Sequence, residues 1–137
     1  MIRFLKHNMI DKERWDKCID KSFNGNIYAW SWYLDIIHPQ WDALVENDYD
    51  RVMPLTASRK LGISYMFQPF FTQQLGVFSK SQLSKEDIDR FIEAIPKQYR
   101  LVKYKLNSYN KVDYLSENIL SHRNIELDLI YDYQHLY

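Results

Sequence analysis

The sequence predicts a single α/β domain of the α+β type, in which helices flank a mixed, mostly antiparallel sheet. The 137 residues suit one domain with one hydrophobic core. Apolar residues recur at helical spacing in some segments and alternate with polar residues in others, which indicates helices and strands respectively. No internal repeat or Pro/Gly/Ser-rich linker divides the chain, so the predicted domain covers residues 1–137. The predicted order of elements is β-α-α-β-β-β-α-β-α-β.

The chain begins with a predicted strand and helix. Ile2–Leu5 is a short apolar segment and predicts the first strand. Asp11 can cap the helix that follows, and Ile10 and Trp15 are spaced as a hydrophobic staple. The Asn-Gly-Asn sequence at residues 24–26 is expected to end this helix. Its apolar stripe consists of Trp15, Cys18, Ile19 and Phe23.

A second helix and a three-strand meander are predicted next. Pro39 ends the helix, and residues 41–46, 51–59 and 63–68 are the three strands. Because Pro54 cannot donate a hydrogen bond to a neighbouring strand, we expect a bulge or an open edge there. The apolar face of the helix consists of Trp30, Tyr33, Leu34 and Ile37.

The second half of the chain is predicted to alternate between strands and helices. Residues 73–78 are a short extended segment, and residues 84–95 form the clearest helix. Ser84 and Asp87 resemble a capping box in which Asp replaces Glu. The remaining predicted elements are a strand over residues 99–106, a helix over residues 111–120 with Asn110 as its cap, and a strand over residues 125–133.

Charge and composition exclude several functional classes. Eighteen basic side chains balance eighteen acidic ones, and nucleic-acid binding normally requires a basic excess, so we expect no direct contact with nucleic acid. The sequence has no signal peptide and no segment of ~20 apolar residues, so a cytoplasmic protein without a membrane contact is expected. The single cysteine, Cys18, lies on an apolar stripe and is predicted to be inert, and the four histidines lack ligand spacing, so no metal site is predicted.

Four segments carry a resemblance to a known family. They are YAWSWYLD at residues 28–35, WDALVEN at 41–47, RVMPLTASRKLGISYMFQPFFTQQLGVFS at 51–79 and LDLIYDYQHLY at 127–137. With the predicted order of elements, they resemble the GNAT acyltransferase fold. More specifically, the chain is similar to the N-terminal half of Fem-type enzymes, which contain two GNAT-like domains in tandem and transfer an acyl or aminoacyl group to an amine.

The resemblance implies that this chain is the non-catalytic N-terminal half of a longer N-acyltransferase. Such a half would scaffold the catalytic half and shape the groove for the acceptor, so the 137-residue chain is not expected to be active and no catalytic residue is assigned. Its implied partner is a second GNAT-like domain or a second copy of the chain, and a small-molecule amine is the candidate acceptor. Acyl-CoA or aminoacyl-tRNA is implied for the missing half, and no cofactor is implied for this one.

The family's coenzyme loop, Arg/Gln-x-x-Gly-x-Gly/Ala, has two partial matches here. Small residues are needed in it because successive backbone N–H groups must turn toward a diphosphate. Gln73 and Gly76 match the first positions, but Phe78 stands where a small residue is required, and its ring is expected to fill the space of the diphosphate. The sequence RKLGIS at residues 59–64 precedes a strand instead of a helix. Both glycines are therefore interpreted as turn glycines, and Gln73 and Gly76 are weak coenzyme-binding candidates.

The remaining site candidates lie where aromatic residues alternate with amides, near an expected strand end. They could orient an amine acceptor, or they could pack against a second domain, and the second interpretation is favoured. Two other functions remain open: a stand-alone interaction or glycan-binding module that uses exposed rings, and a minimal acetyl-CoA-dependent N-acetyltransferase. The candidates are Tyr65, Phe67, Gln68, Phe70, Phe71, Gln73 and Gln74.

Overall fold

A computed structural model describes residues 1–112 of the chain. These residues form three α-helices and two mostly antiparallel sheets, which confirms the α+β class. The helices are α1 (Lys12–Lys21), α2 (Ser31–Ile37) and α3 (Lys85–Glu93). The strands are β1 (Ile2–Leu5), β2 (Asp42–Glu46), β3 (Arg51–Leu55), β4 (Ala57–Lys60), β5 (Ile63–Phe67), β6 (Phe78–Ser79) and β7 (Tyr99–Lys103). The predicted helix at 111–120 and strand at 125–133 lie outside the described residues, apart from residues 111 and 112.

The strands form two sheets, so the prediction of a single sheet is wrong for the described residues. The first sheet has the order β1-β2-β3-β6 and is antiparallel throughout, whereas the second has the order β4-β5-β7 with β5 and β7 parallel. The chain passes between the sheets at Thr56, which is fully buried. The carbonyl of Thr56 accepts a hydrogen bond from the backbone N–H of Phe67 at 3.0 Å, and its hydroxyl donates to the carbonyl of Phe67. The predicted strand at 51–59 is therefore two strands, β3 and β4.

A bulge or an open edge was expected at Pro54, and the structure shows an open edge. It faces Ala43 of β2 in a ladder without a register shift, so there is no bulge. On the other side of β3, strand β6 pairs only with Arg51 and Val52. No strand pairs with β3 on that side beyond Val52, so the missing N–H of Pro54 costs no hydrogen bond between strands.

Helices cover both faces of the first sheet. Because successive side chains of a strand point in opposite directions, both sets of side chains are buried. On β2, Ala43 and Val45 pack with α1 and α2, whereas Leu44 packs with α3. All five residues of β2 are buried. The core on the α1 side includes Trp15, Ile19, Leu34, Trp41 and Phe78, and the core on the α3 side includes Met53, Leu55, Met66, Val77, Ile88 and Phe91.

The predicted start signals of α1 and α3 are confirmed. The Asp11 carboxylate accepts a hydrogen bond from the Arg14 backbone N–H at 3.1 Å. At α3, the Ser84 hydroxyl accepts from the Asp87 N–H and the Asp87 carboxylate accepts from the Ser84 N–H, which makes a reciprocal capping box. Helix α1 ends at Lys21, earlier than predicted, so Phe23 lies beyond it.

An ion-pair cluster fastens α3 to the β2–β3 hairpin. Glu46, which is almost completely buried, accepts from Arg51 at 2.8 Å and from Arg90 at 2.7 Å. Asp87 lies 3.0 Å from Arg51 and 2.8 Å from Arg90. Burial raises the pKa of Glu46, but the hydrogen bonds from Arg90 and Arg51 outweigh it, so the pKa is lower than usual. The two carboxylates therefore remain charged in the fold at neutral pH.

Candidate functional site

Two of the predicted site residues, Tyr65 and Phe67, lie side by side on β5. Both are half-buried, and their ring centroids are 5.6 Å apart. Phe67 also meets the ring of His38 edge-on, with centroids 5.7 Å apart. The Nε2 atom of His38 lies 2.9 Å from the carbonyl oxygen of Ala57, so the imidazole is held between α2 and the second sheet. These rings form one wall of the candidate site.

Gln68 begins the segment that we call the aromatic loop, residues 68–74. Its amide nitrogen donates to the Thr72 carbonyl at 3.2 Å, and its amide oxygen accepts from the Lys105 backbone N–H at 3.1 Å. Gln68 therefore holds the loop closed and ties it to the chain beyond β7. Of the other two predicted amides, Gln73 is exposed and Gln74 is half-buried.

The aromatic loop presents two phenylalanines to solvent. Phe70 is 87% exposed and Phe71 is 90% exposed. Phe71 has a φ of +60°, a left-handed backbone conformation that is unfavourable for a bulky residue. The hydroxyl of Tyr33 donates to the Phe71 carbonyl and links the loop to α2. The ring of Tyr33 in turn contacts the ring of Trp32, which is 50% exposed.

The turn at Gly76 is filled by the side chain of Asn110. The amide oxygen of Asn110 accepts from the Val77 N–H at 2.7 Å, and its nitrogen donates to the Val77 carbonyl at 2.9 Å. Gly76 has a φ of +110°, and a Cβ atom on it would lie 2.1 Å from the Asn110 oxygen. Glycine is therefore required here both by the backbone conformation and by the close approach of Asn110.

Two further buried asparagines hold the same segment. The Asn24 side chain accepts from the Ser79 N–H at 3.2 Å and donates to the Val77 carbonyl at 2.8 Å. The Asn107 side chain donates to the Leu75 carbonyl at 2.9 Å. We call these three residues, Asn24, Asn107 and Asn110, the asparagine cluster. Each is less than 5% exposed, so residues 75–79 are bonded to the interior of the protein.

The ring of Phe78, which the coenzyme-loop comparison placed at a small-residue position, is fully buried in the core with Trp15 and Val45. The groups that already bind the N–H donors of Val77 and Ser79 are side chains of the asparagine cluster. Helix α3 begins only at Lys85, so its N-terminus does not follow the turn directly as a phosphate loop requires.

The second partial match, at residues 59–64, forms the β4–β5 hairpin turn. Leu61 and Gly62 have φ values of +51° and +79°, and no atom lies within 4 Å of a Cβ built on Gly62. Positive φ at both central residues is typical of a type I′ hairpin turn. Gly62 therefore supplies backbone conformation for the hairpin.

No family model, curated protein or solved structure matches this chain.

A polar cluster that the sequence did not predict surrounds the start of β2. Asp42 is buried and accepts from the Lys6 ammonium at 2.9 Å, the His7 N–H at 3.0 Å and the Tyr99 hydroxyl at 3.1 Å. Burial raises the pKa of Tyr99 to about 12. These partners come from two segments that are distant from Asp42 in the sequence, and no motif joins them. Through these three hydrogen bonds, Asp42 at the start of β2 connects the chain just after β1 to β7. We therefore interpret the cluster as structural.

The end of α1 and the start of α2 border an open depression of about 560 Å³. Trp32, Asp20 and Asn26 are among the residues that line it. The Asn26 side-chain oxygen is buried and has no hydrogen-bond partner among residues 1–112. Gly25 also lines the depression, and a Cβ atom on it would lie 2.6 Å from the Ile19 carbonyl oxygen.

The described residues contain neither a cluster of metal-binding side chains nor an exposed cysteine. In residues 1–112, no three His, Cys, Asp or Glu side chains come together as a metal site. Cys18 is buried, and burial raises the pKa of its thiol, so it remains protonated and unreactive at neutral pH. In the same part of the chain, no helix has the length and apolar character that a membrane crossing demands.

Proposed function

We propose that this chain is the non-catalytic N-terminal half of a Fem-like N-acyltransferase with two GNAT-like domains. Its role is to scaffold the catalytic half and to shape the groove that receives the amine acceptor. The observation that carries the non-catalytic part is the asparagine cluster, which uses the N–H donors of Val77 and Ser79. A coenzyme diphosphate would need donors of this kind to be available.

The arrangement of elements supports the GNAT-like part of the proposal. Strand β1 is followed by two helices and by the antiparallel run β2 to β5, although β3 and β4 belong to different sheets. Strand β6 and helix α3 lie between β5 and its parallel neighbour β7. With β3 and β4 counted as one strand and the two-residue β6 set aside, this order is compatible with the one that the resemblance implies up to residue 103.

The proposed donor site lies on the partner, a second GNAT-like domain or a second copy of the chain. The donor would be acyl-CoA or aminoacyl-tRNA, which are cytoplasmic, so the proposal includes a cytoplasmic location. On this chain, the rings of Tyr65 and Phe67 would form a wall of the acceptor groove. Gln73 and Gln74 follow them along the aromatic loop and are the proposed polar contacts to a small-molecule amine.

Acyl transfer measured with and without a second domain tests this proposal. The 137-residue chain and the complete reading frame that contains it would each be incubated with acetyl-CoA or aminoacyl-tRNA and a panel of amines. We expect transfer only from a longer product that carries a second GNAT-like sequence. Acetyl transfer by the 137-residue chain alone would overturn the proposal in favour of a minimal N-acetyltransferase. A reading frame that stops after Tyr137, with no transfer, would overturn it in favour of a binding module.

A stand-alone glycan-binding module is the second candidate, and the depression beside Trp32 favours it. A half-exposed indole next to the carboxylate of Asp20 and the amide of Asn26 offers a stacking face together with hydrogen-bonding groups. Saturable quenching of tryptophan fluorescence by a saccharide, abolished by Trp32→Ala, would support this function. An unchanged signal across a panel of neutral and acidic saccharides would exclude it.

A further inference from the structure

Exposed apolar residues occur both on α2 and on the aromatic loop, and Tyr33 links these two elements. We define the aromatic surface as Trp32, Ile36, Phe70 and Phe71. Trp32 and Ile36 are four residues apart on α2 and share one side of it; Ile36 is 73% exposed. Tyr33 joins the two parts, since its ring meets Trp32 and its hydroxyl bonds the Phe71 carbonyl. Contiguous exposed apolar residues of this kind usually mark an interaction site.

The loop is held in a fixed shape that exposes its rings. Gln68 bonds the backbone at Thr72 and Lys105, and Tyr33 bonds the backbone at Phe71. Phe71 keeps a left-handed backbone, which costs a bulky residue of the order of 1–3 kcal/mol. With its ring 90% exposed, packing within residues 1–112 does not repay that cost. A preorganised apolar loop loses little conformational entropy when a partner covers it.

We propose that the aromatic surface is a two-fold interface between two copies of this chain. An isologous interface places the same patch on both subunits, so the patch must be complementary to itself. The aromatic loop, with the sequence QPFFTQQ, carries no charge, so the loop can pack on its own copy without bringing like charges together. The chain has a formal net charge of zero, so long-range repulsion does not oppose association. The inference rests on the proposed function in that it chooses the second copy of the chain from the two proposed partners, whereas its test measures self-association and does not require acyl transfer.

The size of the surface sets the expected strength of the dimer. An aromatic side chain carries about 150–250 Å² of surface, so the exposed parts of Phe70, Phe71 and Trp32 supply roughly 500 Å² per copy. Two copies would bury roughly 1,000 Å², which is near the lower limit for a specific interface. We therefore expect a weak, reversible dimer and not a permanent one.

Sedimentation equilibrium of the full chain, from about 5 to about 500 μM, tests the proposal. We expect the mass to rise with concentration from 16.7 kDa toward twice that value. The double variant Phe70→Asn/Phe71→Asn should remain monomeric. Asn tolerates the left-handed backbone of residue 71, so the loop keeps its shape. The matched control is Leu61→Asn, which removes an equally exposed apolar residue (93%) from another left-handed position, and it should dimerise like the parent.

Several results would overturn the assignment. The parent chain could stay monomeric throughout the concentration range, or the double variant could dimerise as well as the parent. Loss of dimerisation in both the double variant and the Leu61 control would show that exposed apolar area in general drives association. Sedimentation of the monomeric parent with vesicles of neutral or anionic lipid, lost in the double variant, would assign the surface to a membrane instead. Circular dichroism melts of all variants check that each is folded.

Discussion

The Gly76 turn makes a quantitative prediction about the substitution Gly76→Ala. The new Cβ atom would lie 2.1 Å from the Asn110 amide oxygen, and residue 76 would have to keep a φ of +110°. The backbone strain costs about 1–3 kcal/mol. Displacement of Asn110 would leave the buried N–H and carbonyl of Val77 without this partner, which costs about 1–3 kcal/mol more. We therefore expect the free energy of unfolding to fall by roughly 2–6 kcal/mol.

Urea unfolding, followed by tryptophan fluorescence and circular dichroism, measures this loss. The matched control is Gly62→Ala, where φ is +79° and no atom lies within 4 Å of the new Cβ, so only the strain term applies. Asn110→Ala removes the group that the new Cβ would meet. In that background Gly76→Ala should cost roughly 2 kcal/mol less than in the parent. Equal losses for Gly76→Ala and Gly62→Ala, or the same loss for Gly76→Ala in both backgrounds, would refute the explanation.

Three further predictions concern stability. Ser84→Ala removes the cap of α3 and should lower the free energy of unfolding by about 1 kcal/mol in urea titrations; an unchanged midpoint would mean that the cap is not formed. Phe71→Gly should raise the melting temperature or leave it unchanged, because it relieves the backbone cost of an exposed ring, whereas a clear fall would show that the ring is packed. The pKa values of Glu46 and Asp87 are lower in the folded protein than in the unfolded chain, where they are about 4.3 and 3.9. Both carboxylates therefore stabilise the fold at a pH above these unfolded pKa values. They lose this effect as the pH falls through the lower folded pKa values. The urea concentration at the unfolding midpoint, measured from pH 6 to pH 2, should therefore decrease once the pH is below about 4. It should decrease less steeply with pH in Glu46→Gln than in the parent, and identical slopes would contradict the ion-pair account.

Local signals allowed several elements to be predicted from the sequence. The Asp11 cap, the Ser84–Asp87 capping box and the apolar periodicity of α1 and α3 depend on residues only three or four positions apart. The open edge at Pro54 follows from the missing N–H of proline. In each case the residues that determine the feature lie within one short segment of the sequence.

Other features depend on contacts between distant residues and could not be read in this way. Asn110 and Asn24 bond backbone groups 33 and 55 positions away, so a glycine that resembled part of a coenzyme loop is a packing requirement of Asn110. The passage between the sheets at Thr56 depends on its pairing with Phe67, 11 residues further on. An alternating pattern predicts strands but does not show which strands share a sheet.

The exposure of Phe70 and Phe71 was also not predictable from composition. A pair of phenylalanines after a strand more often indicates core residues, because phenylalanine is among the side chains that are most often buried. Their place in the aromatic loop is fixed by Gln68 and Tyr33, whose bonds to the backbone carry no sequence signature. The sequence located the candidate segment, and the structure shows which of its residues face solvent.

The most direct test of the closed Gly76 turn is a titration of the chain with acetyl-CoA, observed through its backbone amide resonances. The N–H groups of Val77 and Ser79 are bonded to Asn110 and Asn24. Their signals, with that of Gly76, should therefore not move up to millimolar coenzyme. Saturable shifts of these three amides, with a dissociation constant below about 1 mM, would contradict the account and show that this chain binds the coenzyme itself.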